Sequence, residues 1–245
     1  MKYLIYGGTS LISINLIKKL INKNNHLNFI VFVRSKSKFE KLLASFNLTK
    51  YLDKIDLIEI NITNLNENLN LISKFKDNSL SGLYFMVGVT GNPDDEFKNT
   101  SLLKKNFDIN LINPILLINS LISKLEKNSH IVVFTSIAGL RGRAKRLYYC
   151  SAKAGLINYL SGLRQSLFTK KIAVINFTAG YMATETFNQN IGKKSFLVTK
   201  PEKIAEKIIW ATNEKKDNVY NSLLWKIIGF IILIIPEKIF KRLKF

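Results

Sequence analysis

The sequence predicts an α/β protein built on a doubly wound parallel sheet, with helices on both faces and an apolar, basic helical tail at the C-terminus. Three observations carry that expectation. Six short runs are mostly rich in Ile, Val and Phe without polar–apolar alternation, segments of helical periodicity lie between them, and a loop of small residues follows the first run. A run without alternation reads as a strand covered on both faces, as in a parallel sheet. Such strands alternating with amphipathic helices build βαβ units, whose ligands lie at the carboxyl ends of the strands.

The first run, "KYLIY" (2–6), leads into "YGGTSLIS" (6–13). Gly7 and Gly8 suit a turn in which backbone N–H groups and a helix N-terminus approach a pyrophosphate, and Thr9 and Ser10 offer hydroxyls to phosphate. By itself the loop is equally compatible with a tight turn that holds no ligand. The helix that follows places Leu11, Ile14, Ile17, Leu20 and Ile21 on one face. "NFIVFV" (28–33) is the second strand, and "VFVRSKSK" (31–38) ends it with Arg34, Lys36 and Lys38, with no carboxylate before Glu40. A carboxylate there would suit the ribose hydroxyls of NAD. A guanidinium suits a 2′-phosphate, so NADP is preferred over NAD; the alternative is a solvated basic loop. "IDLIEI" (55–60), "SGLYFMV" (81–87), "HIVVFT" (130–135) and "KIAVINF" (171–177) complete the strands.

The stretch "RLYYCSAKAG" (146–155) holds two adjacent tyrosines and a lysine. Residues i and i+4 share a helix face, so Tyr149 pairs with Lys153, whereas Tyr148 meets only Ala152. An ammonium beside a phenol favours the phenolate and brings its proton chemistry toward neutral pH.

Together these residues resemble the short-chain dehydrogenase/reductases, whose fold is Rossmann-like. That family sets a serine about 13 residues before its Tyr-x-x-x-Lys tyrosine, and Ser136 in "HIVVFTSIAG" stands 13 before Tyr149. It sets an asparagine in the preceding helix, matched by Asn110 in "NFDINLINP". The resemblance implies that Tyr149 is the general acid and that Ser136 polarises the carbonyl. Lys153 would hold the nicotinamide ribose and depress the tyrosine pKa, and Asn110 would hold a water in a proton relay. It implies further that Gly7, Thr9, Ser10, Ile12, Arg34, Asn61, Ile62, Gly88, Lys153 and Thr184 bind the cofactor, Thr184 closing "AGYMAT" (179–184). The departures fall in cofactor binding. Leu11 and Ser13, or Ser10 and Ser13, replace later glycines of the loop, Asn61 replaces an aspartate, "MVG" (86–88) keeps only Gly88, and Ala179 replaces a proline. More narrowly, "AGLRGR", "GLRQSL" and the ending "IPEKIFKRLKF" look like reductases of lipid-linked and cell-surface sugars, such as decaprenylphosphoryl 2-ketoribose reductase. Arg141, Arg143 and Arg146 would then meet a substrate phosphate, or else form a basic surface loop.

The tail "SLLWKIIGFIILIIPEKIFKRLKF" (222–245) has too short an apolar core, Ile227–Ile235, to cross a bilayer, which takes roughly 20 residues. It fits a membrane interface, with Trp225 at headgroup level and Lys238, Lys241, Arg242 and Lys244 on anionic lipid. Packing on the domain's own core or across a dimer interface is the alternative. The expected organisation is a reductase domain over 1–220 and a membrane-interface segment over 221–245.

The net charge of +20 and pI near 9.9 come mostly from lysine, in a composition that an AT-rich coding sequence would give. No basic stripe is interleaved with aromatics, so nucleic acid is not an expected partner. Cys150 is the only cysteine, and His26 and His130 lie far apart, so no disulfide framework or metal site is expected. Met1 opens directly on a strand without a signal-like stretch, which predicts a cytoplasmic protein, peripheral on the inner face of the cell membrane. By resemblance it would form a homodimer or homotetramer. The expected activity is NADP-dependent reduction of a sugar ketone or prenyl-phosphosugar in surface polysaccharide synthesis. Alternatives are a 3-ketoacyl or other lipid ketone, or a non-catalytic membrane-docked scaffold.

Overall fold

A computed structural model describes residues 1–90, 100–183 and 196–243. Seven strands, β1 (Lys2–Tyr6), β2 (Asn28–Val33), β3 (Ile55–Glu59), β4 (Leu80–Phe85), β5 (Leu125–Ser136), β6 (Ala173–Ala179) and β7 (Asn218–Tyr220), form one parallel sheet in the order β3-β2-β1-β4-β5-β6-β7. Helices α1 (Leu11–Lys23), α2 (Lys36–Ser45) and α7 (Pro201–Asn213) cover one face. Helices α3 (Leu65–Ser73), α5 (Asn113–Leu121) and α6 (Leu147–Leu167) cover the other, and α4 (Thr100–Phe107) runs into α5 through a π turn, Asp108–Ile112. Helices α8 (Leu223–Ile234) and α9 (Glu237–Phe240) form the C-terminal tail.

The unbroken hydrophobicity of the strands follows from this double cover. In β1, Ile5 packs toward α1, while Leu4 and Tyr6 pack toward α5 and α6. In β5 the alternation repeats, Val132 to one layer and Ile131 and Val133 to the other. A strand buried on both sides has no position at which a polar residue costs nothing. The six expected strands are all present, and β5 begins earlier than its apolar run, at Leu125. β7, in the short "NVY", was not expected; it adds to the edge at β6 and carries the chain to α8.

The strand order reverses between β1 and β4, and the loops after them diverge to open a crevice. Gly7 turns the chain there with φ +90°, and a Cβ would lie 2.8 Å from the Met86 carbonyl oxygen, so both torsion and space require glycine. No helix among the described residues is long and apolar enough to cross a membrane. The expected boundary at 220/221 falls between β7 and α8.

Candidate active site

The crevice holds a cavity of about 540 Å³ lined by residues from the ends of β1, β2, β3 and β4. Gly7, Thr9, Ser10, Ile12, Arg34, Asn61, Ile62 and Gly88 line it, so eight of the expected cofactor residues converge there. Lys153 lies at its inner end, and Thr184 lies outside the described residues.

The altered glycine loop is held by its own serines. Ser10 caps α1, its Oγ accepting from Ser13 N at 3.0 Å. Ser13 Oγ donates to the Gly7 carbonyl at 2.8 Å and lies 2.7 Å from Ser10 Oγ, which must then donate to it. The Ser10 hydroxyl is therefore engaged within the loop rather than offered to phosphate, which corrects that expectation. What the turn offers an anion is backbone: the first-turn N–H groups of Leu11 and Ile12 at a capped helix N-terminus.

Arg34, Lys38 and Lys105 line the cavity, and among the described residues no carboxylate does. Lys105 comes from α4, and no sequence signal marked it. Asn61 folds into a turn, its Oδ1 accepting from Thr63 N at 3.0 Å and Thr63 Oγ1 at 2.7 Å. The Ile62 carbonyl is fixed by Asn113 Nδ2 at 2.8 Å. The Tyr6 hydroxyl is buried without a partner and its residue lines the cavity, while the ring stacks on Phe85 at 4.7 Å. Burial pushes that phenol far above the usual tyrosine range. A cavity with a helix N-terminus, three lining cations and an orphaned buried hydroxyl fits a dinucleotide carrying several phosphates.

The expected catalytic residues meet beside Gly88, which lines the cavity. Ser136 ends β5 and caps the 3-10 turn Ile137–Gly139, its Oγ accepting from Ala138 N at 3.1 Å. Tyr149 stands in the first turns of α6, close enough to Ser136 for that hydroxyl to act on its phenol. Lys153, one helical turn on, is buried with Nζ donating to the Phe134 carbonyl at 3.2 Å and 5.9 Å from the Tyr149 ring centre. A Cβ on Gly88 would lie 3.0 Å from Asn110 Oδ1 and 3.2 Å from Lys153 Nζ, so the end of β4, the π turn and α6 converge on one point.

Two roles expected by resemblance are refined here. The Asn110 carboxamide clamps the chain after β4: Nδ2 donates to the Val89 carbonyl at 2.8 Å and to Asn106 Oδ1 at 2.8 Å, and Oδ1 accepts from Val89 N at 3.1 Å. Its side chain is thus a structural clasp, which leaves the Asn110 main chain to hold a relay water. Second, the net effect on Tyr149 is upward: burial raises the phenol above its ordinary value, opposed by the Ser136 hydroxyl and the positive charges of Arg143 and Arg146. Lys153 is itself pushed down to about 8 by burial.

The arginines also divide. Arg141 points away from the site: Nη1 donates to the Ile232 carbonyl at 3.0 Å and to that of Ile235, Nη2 bonds Glu237 Oε2 at 2.6 Å, and the guanidinium lies over the Phe240 ring. It caps α8 and fastens the tail, so it is not a phosphate ligand. Arg146 Nη1 donates to the Thr90 carbonyl at 3.0 Å, and Arg143 keeps a buried Nε without a partner. Arg164 of "GLRQSL" ties α6 to β6, Nε donating to the Val174 carbonyl at 3.0 Å.

The tail reaches the site from behind. Trp225 is buried, not at a surface: its indole covers Gly180, where a Cβ would meet the ring at 2.1 Å, and Nε1 donates to the Leu197 carbonyl at 2.8 Å. The expected headgroup role for Trp225 is corrected accordingly. Asn221 completes the brace, accepting from Gly180 N at 2.9 Å and donating to Thr199 Oγ1 at 2.9 Å.

The comparisons agree with this geometry. The family model described as short chain dehydrogenase matches residues 2–194. A 3-oxoacyl-[acyl-carrier-protein] reductase FabG of Rickettsia felis is 28% identical over 197 residues, covering 77% of this chain and 75% of the relative. Among solved structures, a short chain dehydrogenase from Burkholderia cenocepacia in complex with NADP superimposes with a TM-score of 0.79 at 17% identity, covering 100% of this chain and 97% of the other. BdcA in complex with NADPH does so with a TM-score of 0.75 at 15% identity, over 90% and 93%. Sheet order, crevice, the Ser136–Tyr149–Lys153 cluster and the family match lead to one conclusion: the chain is an oxidoreductase belonging to the short-chain dehydrogenase/reductase family.

Proposed function

We propose that the protein is an NADP(H)-dependent ketoreductase that uses Ser136, Tyr149 and Lys153 on a ketone. The observation that carries this reading is the buried Lys153, 5.9 Å from the Tyr149 ring centre and next to Gly88, where Gly88 lines a cavity also lined by Arg34, Lys38 and Lys105. When bound, the reduced nicotinamide supplies the hydride. Gly7, the N–H groups of Leu11 and Ile12, and Thr9 would hold the pyrophosphate. Ile62, Asn61 and the Tyr6 hydroxyl would hold the adenosine, and Arg34 the 2′-phosphate.

The substrate oxygen would accept from both Ser136 and Tyr149. Because burial raises Tyr149 and keeps it a neutral phenol, it has the proton that the ketone oxygen needs. Lys153 in its charged form stabilises the phenolate left behind, as do Arg143 and Arg146. The balance is ketone, hydride and proton giving a secondary alcohol.

A sugar or lipid-linked sugar ketone bearing phosphate is the finer reading; the partnerless buried Nε of Arg143, close enough to act on Tyr149, supports an anionic substrate. A 3-ketoacyl substrate is the second reading, supported by the name of the Rickettsia relative. We further propose that the enzyme acts in the cytoplasm at the inner face of the cell membrane. The same proposal makes it a homodimer or homotetramer through α4–α5 and α6, where Ile112 and Leu116 are exposed.

Calorimetric titration tests the cofactor assignment. NADPH should bind at least about tenfold more tightly than NADH. Arg34→Ala should remove that preference while leaving NADH unchanged. Equal affinities in the wild type would overturn the role of Arg34. No heat from either would leave the scaffold reading.

A further inference from the structure

Helix α8 wears its hydrophobicity outward. Leu223, Ile227, Phe230, Ile231 and Ile234, spaced i, i+4, i+7, i+8 and i+11, share one face and are between 46% and 71% exposed. The opposite face is fixed to the body. Trp225 lies over Gly180, Gly229 packs against Ile137 and Leu140, and Arg141 caps the helix end. The outward stripe is therefore displayed by a rigid element.

Lys226 lies on α8 itself and Lys238, Lys241 and Arg242 follow it in the chain, all exposed. The only carboxylate from 221 to 243 is Glu237, which is paired with Arg141. A second copy would set these cations against their own kind in a protein of net charge +20. An anionic lipid surface satisfies the stripe and these cations together. With 12 residues, α8 is too short to span and long enough to lie in the interface.

We infer that α8 docks in the headgroup–acyl boundary of an anionic membrane and holds the mouth of the Tyr149 site at that surface. The second clause rests on the reductase reading; the docking does not. The inner face of α8 touches the loop that follows Ser136, at Ile137 and Leu140, and the loop that follows β6, at Gly180. A ketone on a lipid chain would thus reach Tyr149 without its chain leaving the bilayer.

The test is flotation of the full chain with phosphatidylcholine vesicles, with and without phosphatidylglycerol, at low and high salt. The wild type should float with phosphatidylglycerol and be released by salt. Ile227→Glu/Phe230→Glu/Ile234→Glu should lower partitioning by about a hundredfold or more. Lys238→Glu/Lys241→Glu should lower it by about tenfold or more, with the apolar stripe intact. Both should keep NADPH binding and turnover of a water-soluble ketone. Flotation equal in wild type and variants overturns the inference, as does binding indifferent to phosphatidylglycerol. So does a wild type that fails to float but is a larger oligomer than the triple variant, which would mean that a second copy covers the stripe. Flotation as expected from a protein that reduces no ketone would sink the reductase reading and leave the docking standing.

Discussion

The two ends of the crevice differ in what evolution could change. At the phosphate end, the later glycines of the family's loop are replaced by Leu11 and Ser13, or by Ser10 and Ser13, yet the turn is made and α1 is capped. At the chemical end, Ser136, Tyr149 and Lys153 all stand as the family has them. On the proposed reading the phosphate end works through backbone N–H groups, which most side chains leave intact, although Gly7, fixed by its φ and the Met86 carbonyl, and Gly8, whose Cβ would meet Val31 at 2.2 Å, leave no room for substitution. The chemical end would work through three particular side-chain atoms.

Breaking the chemical end should have the largest effect. Tyr149→Phe should lower turnover by about a thousandfold with NADPH affinity unchanged, read by steady-state kinetics and calorimetry. Turnover within a few fold of wild type would remove Tyr149 from the mechanism.

Lys153 sharpens the contrast, because the side chain that serves chemistry burdens the fold. Its folded pKa, about 8, lies below the 10.5 of the free side chain. Between those values the unfolded chain holds more protons than the folded one, so stability should rise as pH increases from about 8 to 10.5. Lys153→Met should flatten that slope. It should also stabilise the cofactor-free protein at pH 7 by about 2 kcal/mol, the relieved desolvation less the bond lost to Phe134 O, while abolishing activity. Urea unfolding across that window checks both; a variant less stable than wild type would refute the account of burial.

The smallest effect belongs to the phosphate end. Ser10→Ala removes the cap and should cost about 1 kcal/mol of stability with a modest loss of NADPH affinity, measured by thermal unfolding and titration. A loss of affinity as large as that of Arg34→Ala would mean that Ser10 contacts phosphate after all.

The sheet was legible because its signal is local. Apolar runs such as "NFIVFV" end where the strand ends, since both faces are covered along their length. β7 was not, because three residues with only Val219 buried make no run. Ser136, Tyr149 and Lys153 were legible because their spacing is a spacing along one strand and one helix. Lys105, Tyr6 and Asn221 were not, because each is brought to its place by packing between elements far apart in sequence. Trp225 and Arg141 were misplaced for a related reason: composition marks a tail as apolar and basic but not which side faces the body. The Tyr149 pKa turned on burial, which no spacing reveals.

The seating of Trp225 has an optical consequence. Its indole is sealed against Gly180 and Tyr181 and bonded to Leu197, whereas Trp210 is 42% exposed under two lysines. The blue-shifted part of the intrinsic emission therefore belongs to Trp225, and a Trp210→Phe protein would glow from one place. That place touches both stretches of chain, Gly180–Tyr181 and Leu197, that border the mouth of the site. Whatever displaces either of them should write its arrival into the colour of a single tryptophan.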